Sequence, residues 1–281
     1  MNDRLFARLS GLFDVAAFEE ARVMIAGCGS GGGQVALQLV MSGVKNLALV
    51  DHDELEIENV IRHVCGLRHV GMQKTKALDE VLRDRNPDIV TQLFEEDILN
   101  WPGLEAAVSD CELVILATDN DPTRYLINEI CIRRRKPFVV AKVFTRGIGG
   151  EVFHYRPGDG GCLACLERVL ERTQFREGVR EIDLVSDEER AQLYGLEPKE
   201  IKDSPGLSVD IGFITSFHTR FALEALAAAA RERPKFLTPI EENYLVWGNR
   251  ALHPFKKNFE LQRINLRRQS ECLVCGGGDD V

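Results

Sequence analysis

Apolar positions along this chain change their period several times, and the changes lay out an order of elements. Arg22 to Gly27 is a short apolar run that stops at glycine, as a strand buried on both faces does. A glycine-rich turn follows, then a helical pattern from about Gly33 to Gly43 and a second strand over Asn46 to Asp51. Lys74 to Arg85 repeats apolar residues at Ala77, Leu78, Val81 and Leu82, which is helical spacing. It stops before Asn86-Pro87, because proline disfavours helix in its predecessor. Strands recur at Asp88 to Phe94, Glu112 to Ala117 and Phe138 to Val143, with helices at about Leu104 to Val108 and Pro122 to Arg134. Strand and helix taking turns in this way predict an α/β fold, a doubly wound, mostly parallel Rossmann-like sheet with helices on both faces.

After Gly149 the texture changes. Glu151 to Tyr155 alternates as a strand, Cys162 opens a short helix, and Val209 to Arg231 is a strong helix. Tyr244 to Asn249 and Phe259 to Ile264 read as a closing antiparallel pair. Glu177 to Asp203 is acidic and loosely periodic, a surface segment suited to shaping a groove for a substrate's extended tail. With no internal repeat and no long linker, the chain reads as one unit over residues 1–281, a nucleotide-binding half (1–150) and an embellished half (151–281).

A length of 281 residues, 44% hydrophobic and 28% charged, is ordinary for a globular protein that needs no disulfides. The net charge of -9 argues against nucleic acid as the main partner, since phosphate neutralisation wants a basic surface; the run Arg133-Arg134-Arg135-Lys136 reads as a solvated helix end. No stretch reaches the roughly 20 apolar residues of a membrane span. Met1 to Arg22 carries charges throughout and lacks a signal-peptide pattern, so the expected compartment is cytoplasmic.

Gly27-Cys28-Gly29-Ser30-Gly31-Gly32 satisfies Gly-x-Gly-x-x-Gly between a strand and a helix, where backbone amides can approach a phosphate at the helix N-terminus. Asp51 closes the second strand about 20 residues on, where a carboxylate can hold ribose hydroxyls. Nicotinamide and flavin enzymes share that much. The next residues separate them: Asp53, Asn59, Arg62 and Lys74 gather cations and amides for which a dehydrogenase has no use. Adenylyl transfer does need them, because it must neutralise a triphosphate and its departing diphosphate. An attacking carboxylate is already ionised at pH 7, so no general base is required.

In sequence order the chain presents Gly27/Gly29/Gly32, Asp51/Asp53, Asn59/Arg62, Gly71/Lys74 and Thr118-Asp119-Asn120, with Arg124 and Asn128 following. In this it resembles the ThiF/MoeB family, which shares its fold with the adenylation domains of ubiquitin-activating enzymes. The resemblance covers roughly the first 150 residues and extends to the cysteine pairs near the end. It implies ATP-dependent adenylation of the C-terminal glycine of a ubiquitin-like or sulfur-carrier protein with a Gly-Gly terminus. It implies that Asp51 holds the ribose, that Asn59, Arg62 and Lys74 contact phosphates, and that Asp119 holds Mg²⁺ beside the acyl-adenylate; the alternative for Asp119 is a helix cap ahead of Pro122. It further implies a homodimer in which an N-terminal arginine, Arg4 with Arg8 in reserve, reaches the partner's ATP site. The sequence departs from the MoeB pattern at His63, where glutamine usually follows the arginine; histidine still supplies one donor.

Cys162-x-x-Cys165 and Cys272-x-x-Cys275 are two chelating pairs whose four thiolates predict one tetrahedral, structural Zn²⁺ site; the alternatives are a redox Cys-x-x-Cys or two unrelated pairs. From Leu166 to Glu271 there is no cysteine, so composition excludes a thioester in the crossover segment. Of the remaining thiols, Cys28, Cys65, Cys111 and Cys131, only Cys65 is placed to be tested as a nucleophile; its alternative is a small buried residue. Rival functions are a non-catalytic partner or scaffold subunit of an activation complex, a relative acting on modified tRNA, and a nicotinamide oxidoreductase. The intact Arg62, Lys74 and Asp119 set, the net acidity and the phosphate cations count against them in turn.

Overall fold

The computed structural model describes residues 2–9, 11–12, 15–144, 147–171, 206–251 and 255–276. The acidic segment from Glu177 to Asp203 lies outside them. A short helix α1 (Asn2–Leu5) is followed by β1 (Arg22–Ala26), α2 (Ser30–Met41), β2 (Asn46–Val50), α3 (Lys74–Arg85), β3 (Val90–Phe94) and α4 (Leu104–Ser109). Next come β4 (Leu113–Leu116), α5 (Asp121–Arg133), β5 (Phe138–Val143), β6 (Gly149–Tyr155), α6 (Leu163–Glu171), α7 (Ser208–Ala229), β7 (Tyr244–Gly248) and β8 (Glu260–Ile264). The sheet runs β3-β2-β1-β4-β5-β6-β7-β8. Strands β1 to β5 pair in parallel and β6 to β8 antiparallel, so one sheet joins the two halves that the sequence separates.

The period of two along each strand decides which helix covers which face. Val23 and Ile25, Leu47 and Leu49, and Leu113 and Ile115 point to one face, beneath α2, α3 and α7. Met24 and Ala26, Ala48 and Val50, and Val114 and Leu116 point to the other, beneath α4, α5 and α6. Both faces are dry, which is why these strands read as continuous apolar runs.

Pattern and structure differ most at α2, which begins at Ser30, three residues before the expected Gly33. The Gly33 amide bonds to the Gly29 carbonyl at 2.8 Å, so the glycines already form its first turn. Apolar spacing is silent there because glycine has no side chain to place. Space dictates the glycine at position 32: a Cβ there would lie 1.9 Å from the Gly27 oxygen. Gly27 has φ +93°, left-handed backbone that favours glycine.

Candidate functional site

The carboxyl ends of the parallel strands open into a cleft of about 750 Å³, on the side where doubly wound sheets bind ligands. The turn between β1 and α2 forms one wall. Asp51 organises it: one carboxylate oxygen accepts the Cys28 amide at 2.7 Å and the other accepts the Asp53 amide at 2.9 Å. Sequence reasoning assigned Asp51 only to a ligand. A carboxylate oxygen has two lone pairs, so Asp51 can brace the turn and still accept hydroxyls.

His63 is the second brace. Its Nδ1 accepts the Cys65 amide at 3.0 Å, which fixes the proton on Nε2, and Nε2 donates to the Cys28 carbonyl at 2.7 Å. Burial, more than any other influence, holds its pKa below the ordinary histidine value, so the ring stays neutral. The departure from the glutamine pattern thus places at position 63 a donor and an acceptor that tie the phosphate segment to the glycine turn.

Asn59 closes a short 3-10 turn, Ile57–Asn59, and its Oδ1 accepts the Glu56 amide at 3.1 Å, leaving the amide NH2 without a partner among the described residues. Asn59, Arg62 and Lys74 all line the cleft. Lys74 opens α3 and its Nζ lies 2.6 Å from Asp53 Oδ2, so Asp53 holds that cation at the rim.

Asp119 and Asn120 follow β4 at the opposite wall. The capping role falls to Asn120, whose Oδ1 accepts the Thr123 amide at 3.0 Å; this removes the helix-cap alternative for Asp119, an exposed carboxylate that also lines the cleft. Asp121 was missed by sequence reasoning. It receives Lys142 Nζ at 2.8 Å and Arg124 Nη1 at 2.8 Å. Against the upward pull of burial, Lys142 and then Arg124 hold its carboxyl below the usual range. Proline and an aspartate near a helix start mask such a partner, since Lys142 is distant in sequence. Thr118 Oγ1 and Arg124 Nε are buried without a partner among the described residues, as expected of groups that a bound ligand completes. Asn128 is not part of the cleft: it is buried, and its Oδ1 accepts the Leu163 amide at 3.1 Å, tying α5 to α6.

Arg4 and Arg8 are exposed and do not line this cleft. Cys65 is 1% exposed, and burial pushes its thiol up to about 12. Burial, with Asp51 next, raises Cys28 well above its ordinary value.

The four paired cysteines converge although Cys162 and Cys272 are 110 positions apart. Their sulfurs lie within 4.8 Å of one another, with contacts of 3.4, 3.7 and 4.0 Å. A metal with four sulfurs at about 2.3 Å has tetrahedral edges of about 3.8 Å, so the donor set fits one ion. The Gln269 amide points at Cys165 Sγ at 3.5 Å, the kind of bond that steadies a thiolate. Hydrogen bonds from the Cys162 and Cys275 thiols hold Cys165 far below its ordinary pKa.

A model of the ThiF family matches residues 3–274. Ubiquitin-like modifier-activating enzyme 5 of Arabidopsis thaliana is 30% identical over 181 residues, covering 57% of this chain and 42% of its own length. Adenylyltransferase and sulfurtransferase MOCS3 of Xenopus laevis is 32% identical over 148 residues, covering 52% of this chain and 32% of its own. The chain therefore spans under half the length of these relatives. Among solved structures, E. coli MccB with ATP superposes with a TM-score of 0.67 at 19% identity, covering 93% of this chain and 68% of that one. MccB in complex with N-formylated MccA gives 0.69 at 20% identity, covering 93% and 69%. At such identities the likeness is one of fold.

Proposed function

The chain belongs to the ThiF family, and on that premise we propose that it is an ATP-dependent adenylyltransferase acting on the C-terminal glycine carboxylate of a ubiquitin-like or sulfur-carrier protein. One observation carries the reading. The glycine turn, Asp51, Asn59, Arg62, Lys74 and Asp119, scattered over nearly a hundred positions of sequence, all line one cleft.

In the proposed reaction an oxygen of the terminal carboxylate attacks the α-phosphorus of ATP. The bond from that phosphorus to the bridging oxygen breaks, and pyrophosphate leaves with the electron pair. Arg62 and Lys74 would neutralise charge that grows on the leaving group, and Asn59 would donate from its free amide end. Lys74 would trade Asp53 for phosphate. Asp119 is suited to Mg²⁺, which takes one or two protein carboxylates and fills its shell with phosphate and water. Zinc held by Cys162, Cys165, Cys272 and Cys275 would fasten the C-terminal segment to α6 and take no part in chemistry. The reaction would stop at the acyl-adenylate, leaving another thiol or amine to collect it.

The proposal includes a two-fold partner. Ile57, Ile61, Leu67 and Val70 are exposed apolar side chains flanking the phosphate segment, as a contact surface would require. Arg4 would then complete the partner's site. Mixing Arg4→Ala with Arg62→Ala protein tests this, because a mixed dimer regains one intact site. Restored activity is expected; none on mixing would remove the arginine in trans.

The deciding experiment is ATP–pyrophosphate exchange with Gly-Gly-ending proteins. Exchange that depends on the carrier's carboxylate is expected. ATP binding without exchange for any candidate would favour the scaffold subunit instead.

A further inference from the structure

The cleft has a second half, built from β5, β6, β7, the body of α6 and the first turns of α7. In the first half Arg62 and Lys74 supply cations among acids that include Asp51 and Asp53, and Asp53 is paired with Lys74. In the second half the lining includes Lys142, Glu151, Glu167 and Tyr244. Lys142 and Glu151 are cross-strand partners in the β5–β6 register and share a sheet face. They do not pair with each other, because Lys142 Nζ turns to Asp121 at 2.8 Å. Glu151 instead accepts the hydroxyl of the fully buried Tyr244 on Oε2 at 2.5 Å. Its Oε1 has no partner among the described residues. A tyrosine locked in the core thus fixes one carboxylate oxygen of a residue that lines the cleft and leaves the other without a bond among the described residues, with the nearest cation in register already engaged.

That arrangement has a consequence for what the cleft accepts. Resting on the adenylation reading, the incoming group delivers an anionic terminus to the α-phosphorus. An uncompensated carboxylate along the route repels that terminus unless the arriving tail brings a compensating positive charge. We infer that Glu151 is a specificity-determining residue, and that the substrate is a peptide or protein carboxyl terminus carrying lysine or arginine in the residues just before the terminal carboxylate. Tyr244 acts through Glu151 as its positioning residue. The preference belongs to the side chain at position 151, so it is separable from the phosphate chemistry of Arg62 and Lys74.

The test uses the full chain loaded with Mg²⁺ and a non-hydrolysable ATP analogue. Fluorescent peptides ending in Gly-Gly, with Lys, Gln or Glu placed in turn at each preceding position, are titrated and followed by anisotropy. At one position the lysine tail is expected to bind about tenfold more tightly than the glutamine tail and the glutamate tail more weakly still. The quantity read is the lysine-to-glutamine ratio within each variant, so a general loss of stability does not mimic the effect. Glu151→Gln is expected to bring the ratio close to one, Glu151→Lys to invert it in favour of glutamate tails, and Tyr244→Phe to reduce it part-way. Equal binding of all tails at every position, or a ratio that survives Glu151→Gln, overturns the inference. Failure of the adenylation reading has a different signature, absence of ATP–pyrophosphate exchange with any carboxylate, whatever its tail charge.

Discussion

The two halves of this sheet are held to their tasks in opposite ways. In the parallel half, β1 to β5, the site is made by short stretches of chain. The glycine turn, Asp51 with Asp53, and Asn59 to Lys74 each follow a strand or open a helix, and the sheet merely lines their ends up. In the antiparallel half, β6 to β8, the important groups meet only through distant contacts: Cys165 with Cys275, and Glu151 with Tyr244 across 93 positions. A local site is robust to what happens far away. A convergent one depends on every segment that brings it together, so perturbing each half should produce a different kind of failure.

The largest expected effect falls on the convergent half. Ligands bound only by the folded state add their binding energy to stability, and a four-thiolate zinc site contributes folding energy outright. Stripping with a strong chelator, or Cys272→Ser, is expected to lower Tm by about 10 °C or more, at a few degrees per kcal/mol for a chain of this size. Differential scanning fluorimetry reads it directly. A Tm indifferent to chelation would mean that the four thiols pack without a metal.

In the local half the expected failure is chemical. Arg62→Ala should slow ATP–pyrophosphate exchange by about 10²- to 10³-fold, the usual size for one charge-stabilising group at a developing anion, while Tm moves by only a few degrees. A Tm collapse of the size expected on chelation would show that Arg62 holds the fold instead.

This contrast also governs how much of the molecule could be read from its residues. Strand runs, the Lys74–Arg85 helix and the switch to antiparallel pairing were legible because periodicity and proline act locally. The sharing of one cleft by the glycine turn, Asp51, Asn59, Arg62 and Lys74, and the convergence of the two cysteine pairs, were legible because such motifs use fixed spacings. The start of α2 at Ser30 was not, since glycines carry no pattern. Asp51 as a brace of the turn, the Asp121–Lys142 pair and the Glu151–Tyr244 bond were also hidden. Each is a polar contact whose partner is set by the sheet, and spacing along the chain holds no information about it. His63 was half legible: the departure from the pattern was visible, the two-sided hydrogen bonding was not.

A middling effect comes from the helix that spans both halves. His218 on α7 is fully buried over β5 and its Nε2 sits 2.9 Å from the Val139 carbonyl, with burial depressing its pKa to about 4. An unfolded chain titrates histidine near 6.5, so below that value it binds a proton that the folded protein refuses. The stability contribution is therefore complete above about pH 6.5 and is lost as the pH falls toward 4, at up to about 1.4 kcal/mol per pH unit. His154, held to about 3 by burial and then by Arg156, adds to the same slope. Urea denaturation at pH 7 and pH 5 should show the fall, and His218→Gln should flatten part of it. A variant slope equal to that of the unmodified chain would mean that position 218 titrates normally.

The smallest expected effect separates the two classes of cysteine. In the convergent half the thiols form a four-sulfur donor set that fits a metal; in the local half they are packing. Cys65 is buried, its thiol is raised to about 12, and its amide is bonded to His63. At pH 7 a thiol of that pKa is about one part in 10⁵ thiolate. Nucleophilic attack on an acyl-adenylate needs the thiolate and a path to it, and Cys65 has neither. Cys65→Ala is therefore expected to leave ATP–pyrophosphate exchange within about twofold and to cost about 1 kcal/mol of stability for the small cavity it leaves. Its adduct with a carrier, sought on non-reducing gels with and without thiol reductant, should be absent in both forms. A reductant-sensitive adduct present in the unmodified chain and missing in Cys65→Ala would show that the segment between Arg62 and Lys74 opens during turnover and exposes the thiol.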